Sequence, residues 1–316
     1  MNFFITIVAF IKCKKYYIIL LSHFFLINNY FAQTKTQNFY LEKLNRYKLY
    51  GIKEQGGIII GKAENPKSIS LNDNEILFDD EGYFVLGFDR DAKLKQNLTI
   101  EYKNNTKDSI TLKIKKRNYN IQHIRGLKKE HVLPPPQLQE RIKREAEILT
   151  NARKSSYETK TAYFRSGFIR PVEGGRISSR FGDQRILNDT LKQAAHNGVD
   201  ISLPKGSPVK AMADGYVRIA DYDFFYAGNT VMIDHGLGIV AVYIHLDSVI
   251  AKKNTLVKKG EVIGTVGSTG RSTSDHLHWG VQWFDKRIDP LNLLKLENSF
   301  YVKHKTIAEN EENLSN

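Results

Sequence analysis

The chain has 316 residues, of which 41% are hydrophobic and 26% are charged. These proportions are typical of a globular protein and exclude a wholly disordered chain, and the length is sufficient for two domains. The 47 lysines and arginines outnumber the 34 aspartates and glutamates, so the formal net charge is +13. This charge indicates an anionic partner, for which nucleic acid, phospholipid and an anionic wall polymer all qualify.

Residues 1–32 have the pattern of a secretory leader, in which lysines precede an apolar run at residues 16–27 and acidic residues are absent. Cleavage would follow Ala32. A retained leader would instead anchor the chain in the inner membrane. In both cases we expect the rest of the chain to be exported to the periplasm or cell envelope. The single cysteine, Cys13, lies in this leader, so cysteine-ligated zinc is excluded from the exported part.

Residues 33–125 are predicted to form a small β-sandwich-like accessory domain, because β-type runs alternate there with turn signals. Residues 56–62 have the glycine and lysine spacing of a phosphate-binding loop, but Ala63 stands where Ser or Thr would hold magnesium. The basic run at residues 113–117 is interpreted as a solvated connector. The predicted strands include Ile58–Ile60, Ser68–Leu71, Tyr83–Leu86, Leu98–Tyr102 and Ile110–Ile114.

Residues 126–160 are predicted to be a Pro-rich linker and a helix, and residues 296–316 a polar tail. Three prolines at 134–136 make a stiff break, and apolar residues then recur at helical spacing. A helix of roughly 20 residues should rest its narrow apolar stripe on one or both neighbouring domains. The stripe consists of Leu138, Ile142, Ala146, Leu149 and Ala152.

Residues 161–295 are predicted to be a second β-rich domain, and ligand-type side chains recur in its strands. Alternation along a strand would place His196 and Asp200 on one face, and likewise His276 and His278. Two histidines and one carboxylate are sufficient for a zinc site that leaves a fourth position open. One such histidine alone is more often a hydrogen-bonded sheet residue, but the combination favours a metal site.

Two further histidines lie in the same region. Alternation would place His245 on one strand face with Ala241 and Tyr243, and leave the aliphatic residues between them for packing. His235 lies at an expected hairpin turn, where we expect its side chain to cap that turn. The sequence contains no H-E-x-x-H helix, so a thermolysin-like arrangement with a glutamate base is excluded.

Together these motifs resemble the M23 family of lysostaphin- and LytM-type zinc peptidoglycan endopeptidases. The likeness covers residues 168–294 and rests on H-x-x-x-D at 196–200, on His245, and on H-L-H at 276–278 after a glycine-rich stretch. The sequence departs from the usual pattern at Ser274-Asp275, where Gly-Pro is common, and at Ile244, where a small residue is more usual. Both departures flank the site and put substrate preference in doubt.

The resemblance implies a mainly β protein whose catalytic domain is a compact antiparallel β-sheet core with a groove. It implies one zinc ion per catalytic domain, held by His196, Asp200 and His278. His245 and His276 would be the uncoordinated pair that assists catalysis, one as general base and one as hydrogen-bond donor to the developing oxyanion. The sequence leaves open which histidine has which role.

The resemblance implies that the partner is peptidoglycan, and we expect no nucleic-acid partner. Because no array of wall-targeting repeats follows the expected catalytic domain, D-alanyl-diaminopimelate cross-links are the preferred substrate. Two alternatives remain open. One is a non-catalytic wall-binding or amidase-regulating protein on the same fold, and the other is an exported basic protein that binds anionic polymer. A regulatory protein partner would also be required if the accessory domain or the linker helix covers the groove.

Overall fold

A computed structural model describes residues 40–44, 46–126, 130, 133–189 and 191–296. The predicted leader at residues 1–32 lies outside the described residues, as does all of the predicted tail after Leu296. In the described part of the chain, no helix has the length and apolar character needed to cross a membrane. The prediction of a mainly β fold with antiparallel sheets is confirmed.

The N-terminal part contains two four-stranded antiparallel sheets, and each predicted strand run overlaps one of their strands. Its strands are β1 (Tyr40–Leu44), β2 (Tyr47–Gly51), β3 (Ile58–Ala63), β4 (Pro66–Leu71), β5 (Asn74–Glu75), β6 (Tyr83–Gly87), β7 (Lys95–Tyr102) and β8 (Lys107–Lys113). The strand orders are β1-β2-β3-β6 and β5-β4-β7-β8. Nearly every residue of β3 and β6 is buried, so both faces of these strands are covered. Residues 56–62, which have the spacing of a phosphate-binding loop, are therefore largely part of the core strand β3.

The linker helix α1 (Gln139–Lys154) has 16 residues and follows a 3₁₀ turn at Pro136–Leu138. Leu149 and Ala152 of its apolar stripe pack against the C-terminal sheet, and Glu145 Oε2 accepts a hydrogen bond from the Phe225 amide at 2.7 Å. The C-terminal end of the stripe therefore rests on the C-terminal part of the protein, whereas Ala146 is exposed. The buried cluster beneath it consists of Ile219, Phe224, Met232 and Val240.

The C-terminal part is built on a ten-stranded sheet. Its strands are β10 (Arg176–Ser179), β13 (Gly198–Ser202), β14 (Pro208–Lys210), β15 (Gly215–Phe224), β16 (Gly228–Gly236), β17 (Ile239–Val249), β18 (Leu256–Val257), β19 (Val262–Val266), β20 (His276–Trp283) and β21 (Lys286–Ile288). The main path runs β10-β13-β20-β17-β16-β15-β18, and all the pairings in this sheet are antiparallel. A short helix, α2 (Pro290–Leu294), follows the last strand.

A small third sheet joins the N-terminal and C-terminal parts. Strand β9 (Ile121–Ile124) pairs in parallel with β11 (Gln184–Leu187), which also pairs with β12 (Leu191–Lys192). Nearby, the guanidinium of Arg117 binds Asp289 Oδ2 at 2.7 Å, and the Asp289 side chain is only 3% exposed. The interpretation of residues 113–117 as a merely solvated connector is therefore wrong for Arg117, because its charge balances a buried carboxylate.

Candidate metal centre

Strand register brings two of the predicted ligands together. Asp200 of β13 lies directly opposite His278 of β20, and Ile244 of β17 lies opposite His278 on the other side. Directly opposed residues share one face of a sheet, so the side chains of Asp200 and His278 meet. His196 lies two residues before β13 and is held by its backbone, whose amide binds the Asp183 carbonyl at 2.8 Å. The expected single strand from 196 to 200 is therefore wrong in detail.

The three predicted ligand side chains form one compact triangle. His196 Nε2 lies 3.0 Å from His278 Nδ1 and 3.1 Å from Asp200 Oδ1, and His278 Nδ1 lies 2.7 Å from the same oxygen. All three residues are buried. A tetrahedral zinc ion with bonds of about 2.0–2.1 Å holds its ligands about 3.3 Å apart, so this donor set fits a zinc ion after small outward shifts.

Neighbouring groups fix the orientation of this triangle. The Nδ1 atom of His196 lies 2.9 Å from the Arg180 carbonyl, which can only accept, so Nδ1 donates to that carbonyl and Nε2 is the ring nitrogen that faces Asp200 and His278. Arg185 binds Asp200 through Oδ2, which leaves Oδ1 facing the two imidazoles. Such outer contacts orient metal ligands and select the ring nitrogen that binds the ion.

Burial and mutual hydrogen bonding shift the pKa values of the triangle. Burial alone would raise the pKa of Asp200, but the hydrogen bonds and charges of His196 and His278 outweigh it and hold that pKa well below its usual value. Burial lowers the pKa of His278 to about 4, and Asp200 only partly opposes this shift. At neutral pH the site therefore offers a carboxylate and a neutral imidazole, which are the forms that bind metals.

The structure also places the two predicted assisting histidines beside the triangle. The ring centroids of His245 and His276 are 4.9 Å apart, and that of His245 is 6.2 Å from His278. The Nδ1 atom of His245 faces the Thr269 carbonyl at 2.8 Å, and that of His276 faces the Ser274 carbonyl at 2.8 Å. The five residues selected from the sequence thus lie in one cluster.

The predicted orientation of His245 is wrong. His245 has a φ of +64°, so the alternation of the strand breaks at this residue. Its side chain lines the same cavity as Val242 and Ile244, whereas the Tyr243 hydroxyl accepts a hydrogen bond from the buried Met212 amide. The left-handed backbone therefore turns His245 toward the metal site, onto the face that was expected to hold packing residues only.

The expectation for His235 is also wrong. His235 belongs to β16 and is fully buried, and its Nδ1 atom lies 2.7 Å from the Asp214 carbonyl of a neighbouring segment. It therefore bridges two segments and does not cap its own hairpin. Sequence reasoning also missed Arg185, because β11 reaches Asp200 only through a side chain and no local spacing connects the two residues.

Residues 194–290 match the sequence model of Peptidase family M23. The chain contains an M23 peptidase domain. The resemblance predicted from the sequence is thereby confirmed. This M23 domain includes all three members of the triangle and both histidines predicted to assist, so the match and the geometry concern the same part of the chain.

Two curated relatives share the M23 domain. The peptidoglycan DD-endopeptidase ShyA of Vibrio cholerae is 42% identical over 104 residues, which are 33% of this chain and 24% of the relative. The DD-carboxypeptidase/endopeptidase Mpg of Neisseria meningitidis is 40% identical over 130 residues, or 41% of this chain and 30% of the relative. The matched region thus spans less than a third of the length of either relative.

A solved structure shares a larger part of the fold. The crystal structure of an M23 peptidase from Pseudomonas aeruginosa has 26% sequence identity and a TM-score of 0.55, and the likeness covers 77% of this chain and 96% of that one. Because the M23 domain occupies only part of our chain, this likeness extends into the N-terminal sheets.

Proposed function

We propose that the protein is a zinc-dependent endopeptidase that hydrolyses peptide cross-links of bacterial peptidoglycan. The observation that carries this proposal is the triangle of His196, Asp200 and His278 with two further histidines beside it, inside an M23 domain. The relatives named as peptidoglycan DD-endopeptidase and DD-carboxypeptidase/endopeptidase support the same substrate class. Such a substrate would place the protein in the periplasm or cell envelope.

The triangle would hold one zinc ion per domain through His196 Nε2, Asp200 Oδ1 and His278 Nδ1. A zinc ion in this position would polarise the scissile carbonyl and lower the pKa of a water molecule toward 7. Arg185 keeps Asp200 in position, and the Arg180 carbonyl keeps the Nε2 atom of His196 directed at the site. The protein therefore contributes both the ligands and their fixed orientation.

We assign distinct roles to the two assisting histidines. In His245 the Nδ1 proton is directed to Thr269, so Nε2 keeps its lone pair, and burial lowers the pKa of the ring to about 3. The ring is thus neutral, and we assign it the general-base role at Nε2. We assign His276 the role of hydrogen-bond donor to the developing oxyanion through Nε2. Its Nε2 lies 3.8 Å from Asp200 Oδ1, close enough to reach a substrate at the triangle.

Zinc analysis and digestion of purified peptidoglycan test this proposal together. We expect His245→Ala to keep one zinc ion per chain and to lose about 10²–10⁴-fold in the rate of muropeptide release. His196→Ala should lose both zinc and activity. His123→Ala is the matched control, because His123 is half exposed, pairs with Asp189 and should leave both quantities unchanged.

A zinc-loaded wild-type protein that releases no muropeptide would contradict the proposal. That result would favour the non-catalytic wall-binding or amidase-regulating alternative on the same fold. Muropeptide release by His245→Ala at the wild-type rate would retain the enzyme but remove the assigned base.

A further inference from the structure

A cavity of about 270 Å³ adjoins the metal centre and shares His245 and His278 with it. Val242 of β17 and Gly280 of β20 contribute to its lining, and helix α1 reaches it through Leu149. Four arginines from four separate segments also line the cavity. They are Arg153 of α1, Arg185 of β11, Arg271 of the segment before β20 and Arg287 of β21.

The positive charge in this cavity is balanced only in part, through the ion pair of Arg185 with Asp200. Among the described residues that line it, none is acidic. Arg185 reaches out of the cavity to Asp200, but neither Arg153 nor Arg287 forms an ion pair with any described carboxylate. The buried Nε atoms of Arg153 and Arg185 have no hydrogen-bond partner among the described groups. The Nε–H groups of Arg153 and Arg185 can therefore donate to an acceptor that enters the cavity.

The pKa values of two lining arginines, Arg271 and Arg287, are lowered by burial and by neighbouring positive charges. Burial, with a smaller contribution from the charge of Arg153, lowers the pKa of Arg287 to about 10. Burial also lowers the pKa of Arg271, to which the charge of Arg185 adds. Desolvated cations that lie close together repel each other, and an anion that enters the cavity beside Arg153 and Arg287 would relieve this repulsion.

We propose that this cavity binds a free carboxylate of the substrate peptide, close to the scissile amide. The guanidinium group matches a carboxylate with two parallel hydrogen bonds, which makes arginine the preferred partner for this group. Because the cavity shares His245 and His278 with the metal centre, the anion and the scissile bond can belong to one molecule. This inference rests on the proposed function and specifies its substrate.

Helix α1 then has a part in substrate binding, because it supplies Arg153 to the cavity. The helix is held against the sheet by Leu149 and by the hydrogen bond between Glu145 and the Phe225 amide. The carboxylate could come from the diaminopimelate residue of a cross-link or from the C-terminal residue of an uncross-linked stem peptide. Both sources present the same group next to an amide, so the test must separate them.

The test uses the full-length zinc-loaded protein and two pairs of substrates. One pair is a cross-linked muropeptide dimer with free diaminopimelate carboxylates and the same dimer with these groups amidated. The other is a stem pentapeptide and its C-terminal amide. Loss of a charge-assisted hydrogen bond should lower kcat/KM by about 10- to 100-fold for the amidated member of one pair. The pair that shows the loss identifies the source of the carboxylate.

Arginine variants identify the cavity as the binding site. Arg287→Gln and Arg153→Gln should each raise KM at least about tenfold for the free carboxylate and leave the amidated partner nearly unchanged. Arg144→Gln is the matched control, because Arg144 lies on the same helix but is exposed. The dissociation constant of each substrate for His245→Ala, measured calorimetrically, gives a readout that does not depend on turnover.

Equal kcat/KM values for free and amidated members of both pairs would overturn the inference while leaving the proposed function intact. If Arg287→Gln and Arg153→Gln raised KM equally for the free and the amidated substrate, the inference would be overturned as well. If the wild-type protein cleaves no substrate, the proposed function fails, and the carboxylate preference in binding to His245→Ala still decides whether the cavity recognises this group. If Arg287→Gln does not fold, Arg153→Gln and the wild-type comparison carry the test.

Discussion

Glycine at position 198 allows His278 to occupy its place in the triangle. A Cβ atom on Gly198 would lie 2.5 Å from the Trp279 carbonyl oxygen and 2.7 Å from His278 Nε2. Both distances are shorter than real contacts, and the first involves backbone that cannot turn away. The strand pair would have to separate, and the His278 ring would move with it.

We therefore expect Gly198→Ala to lower the free energy of unfolding by about 1–3 kcal/mol and to weaken zinc binding at least tenfold. Gly280 lies directly opposite Gly198, and a Cβ there would meet His278 Nε2 at an ordinary 3.4 Å. Gly280→Ala is thus the matched control and should retain zinc. Urea denaturation and competition with a chelator measure the two quantities. Equal zinc affinities in the two variants would show that Gly198 has no special role.

For single residues, the sequence identifies the members of the histidine and aspartate cluster, but it does not predict the orientation of His245. Alternation in β20 is enough to place His276 beside His278, because both residues belong to one regular strand. The orientation of His245 depends on its positive φ and on the hydrogen bond of its amide to the Ala227 carbonyl. That contact comes from a neighbouring hairpin and has no local signature. The catalytic and ligand roles of these residues stay a prediction.

Helix α1 contributes to stability through one side of its surface. Leu149 packs against the cluster under the helix, whereas its neighbour Ile148 is 41% exposed. Leu149→Ala should lower the free energy of unfolding by about 1–2 kcal/mol, because the side chain is half-buried. Ile148→Ala should change it by less than about 0.5 kcal/mol. Urea denaturation of both variants measures the difference, and similar losses would mean that the helix is not docked as described.

Helical spacing predicts the existence of α1 and the inward position of Leu149 and Ala152, but not the exposure of Ala146. It does not predict which sheet the face meets, because an apolar stripe fits any apolar surface. The predicted length of roughly 20 residues is too long, since the helix ends at Lys154 and is followed by Ser156, which is fully buried. The Ser156 hydroxyl binds the Arg153 carbonyl and satisfies an acceptor that a longer helix would have used.

The N-terminal and C-terminal parts depend on each other through the ion pair between Arg117 and Asp289. Removing Arg117 leaves a buried, uncompensated carboxylate, so Arg117→Ala should lower the free energy of unfolding by about 3 kcal/mol. Arg125→Ala is the matched control, because Arg125 and its partner Asp189 are 74% and 46% exposed. Arg125→Ala should lower the free energy of unfolding by less than about 1 kcal/mol. Thermal and urea unfolding compare the two variants, and equal effects would exclude a special role for the buried pair.

At the scale of the whole molecule the sequence predicts the order of β-rich parts and helix. It does not predict how they join, since the parallel pairing of β9 with β11 connects residues about 60 positions apart. Neither strand has a periodicity that identifies its partner. The predicted boundary after residue 125 follows directly on β9, and the domain limits stay a prediction.

The pairing of β9 with β11 has a consequence for any shortened form of the protein. Ile124 of β9 lines a second cavity at the metal centre together with Asp200 and His276. A fragment that begins at residue 160 would lack this wall and would expose the backbone donors and acceptors along one edge of β11. Such an unpaired edge readily recruits another chain. Self-association of an isolated M23 domain would then reflect the missing strand, and an assay of that fragment would not describe the intact protein.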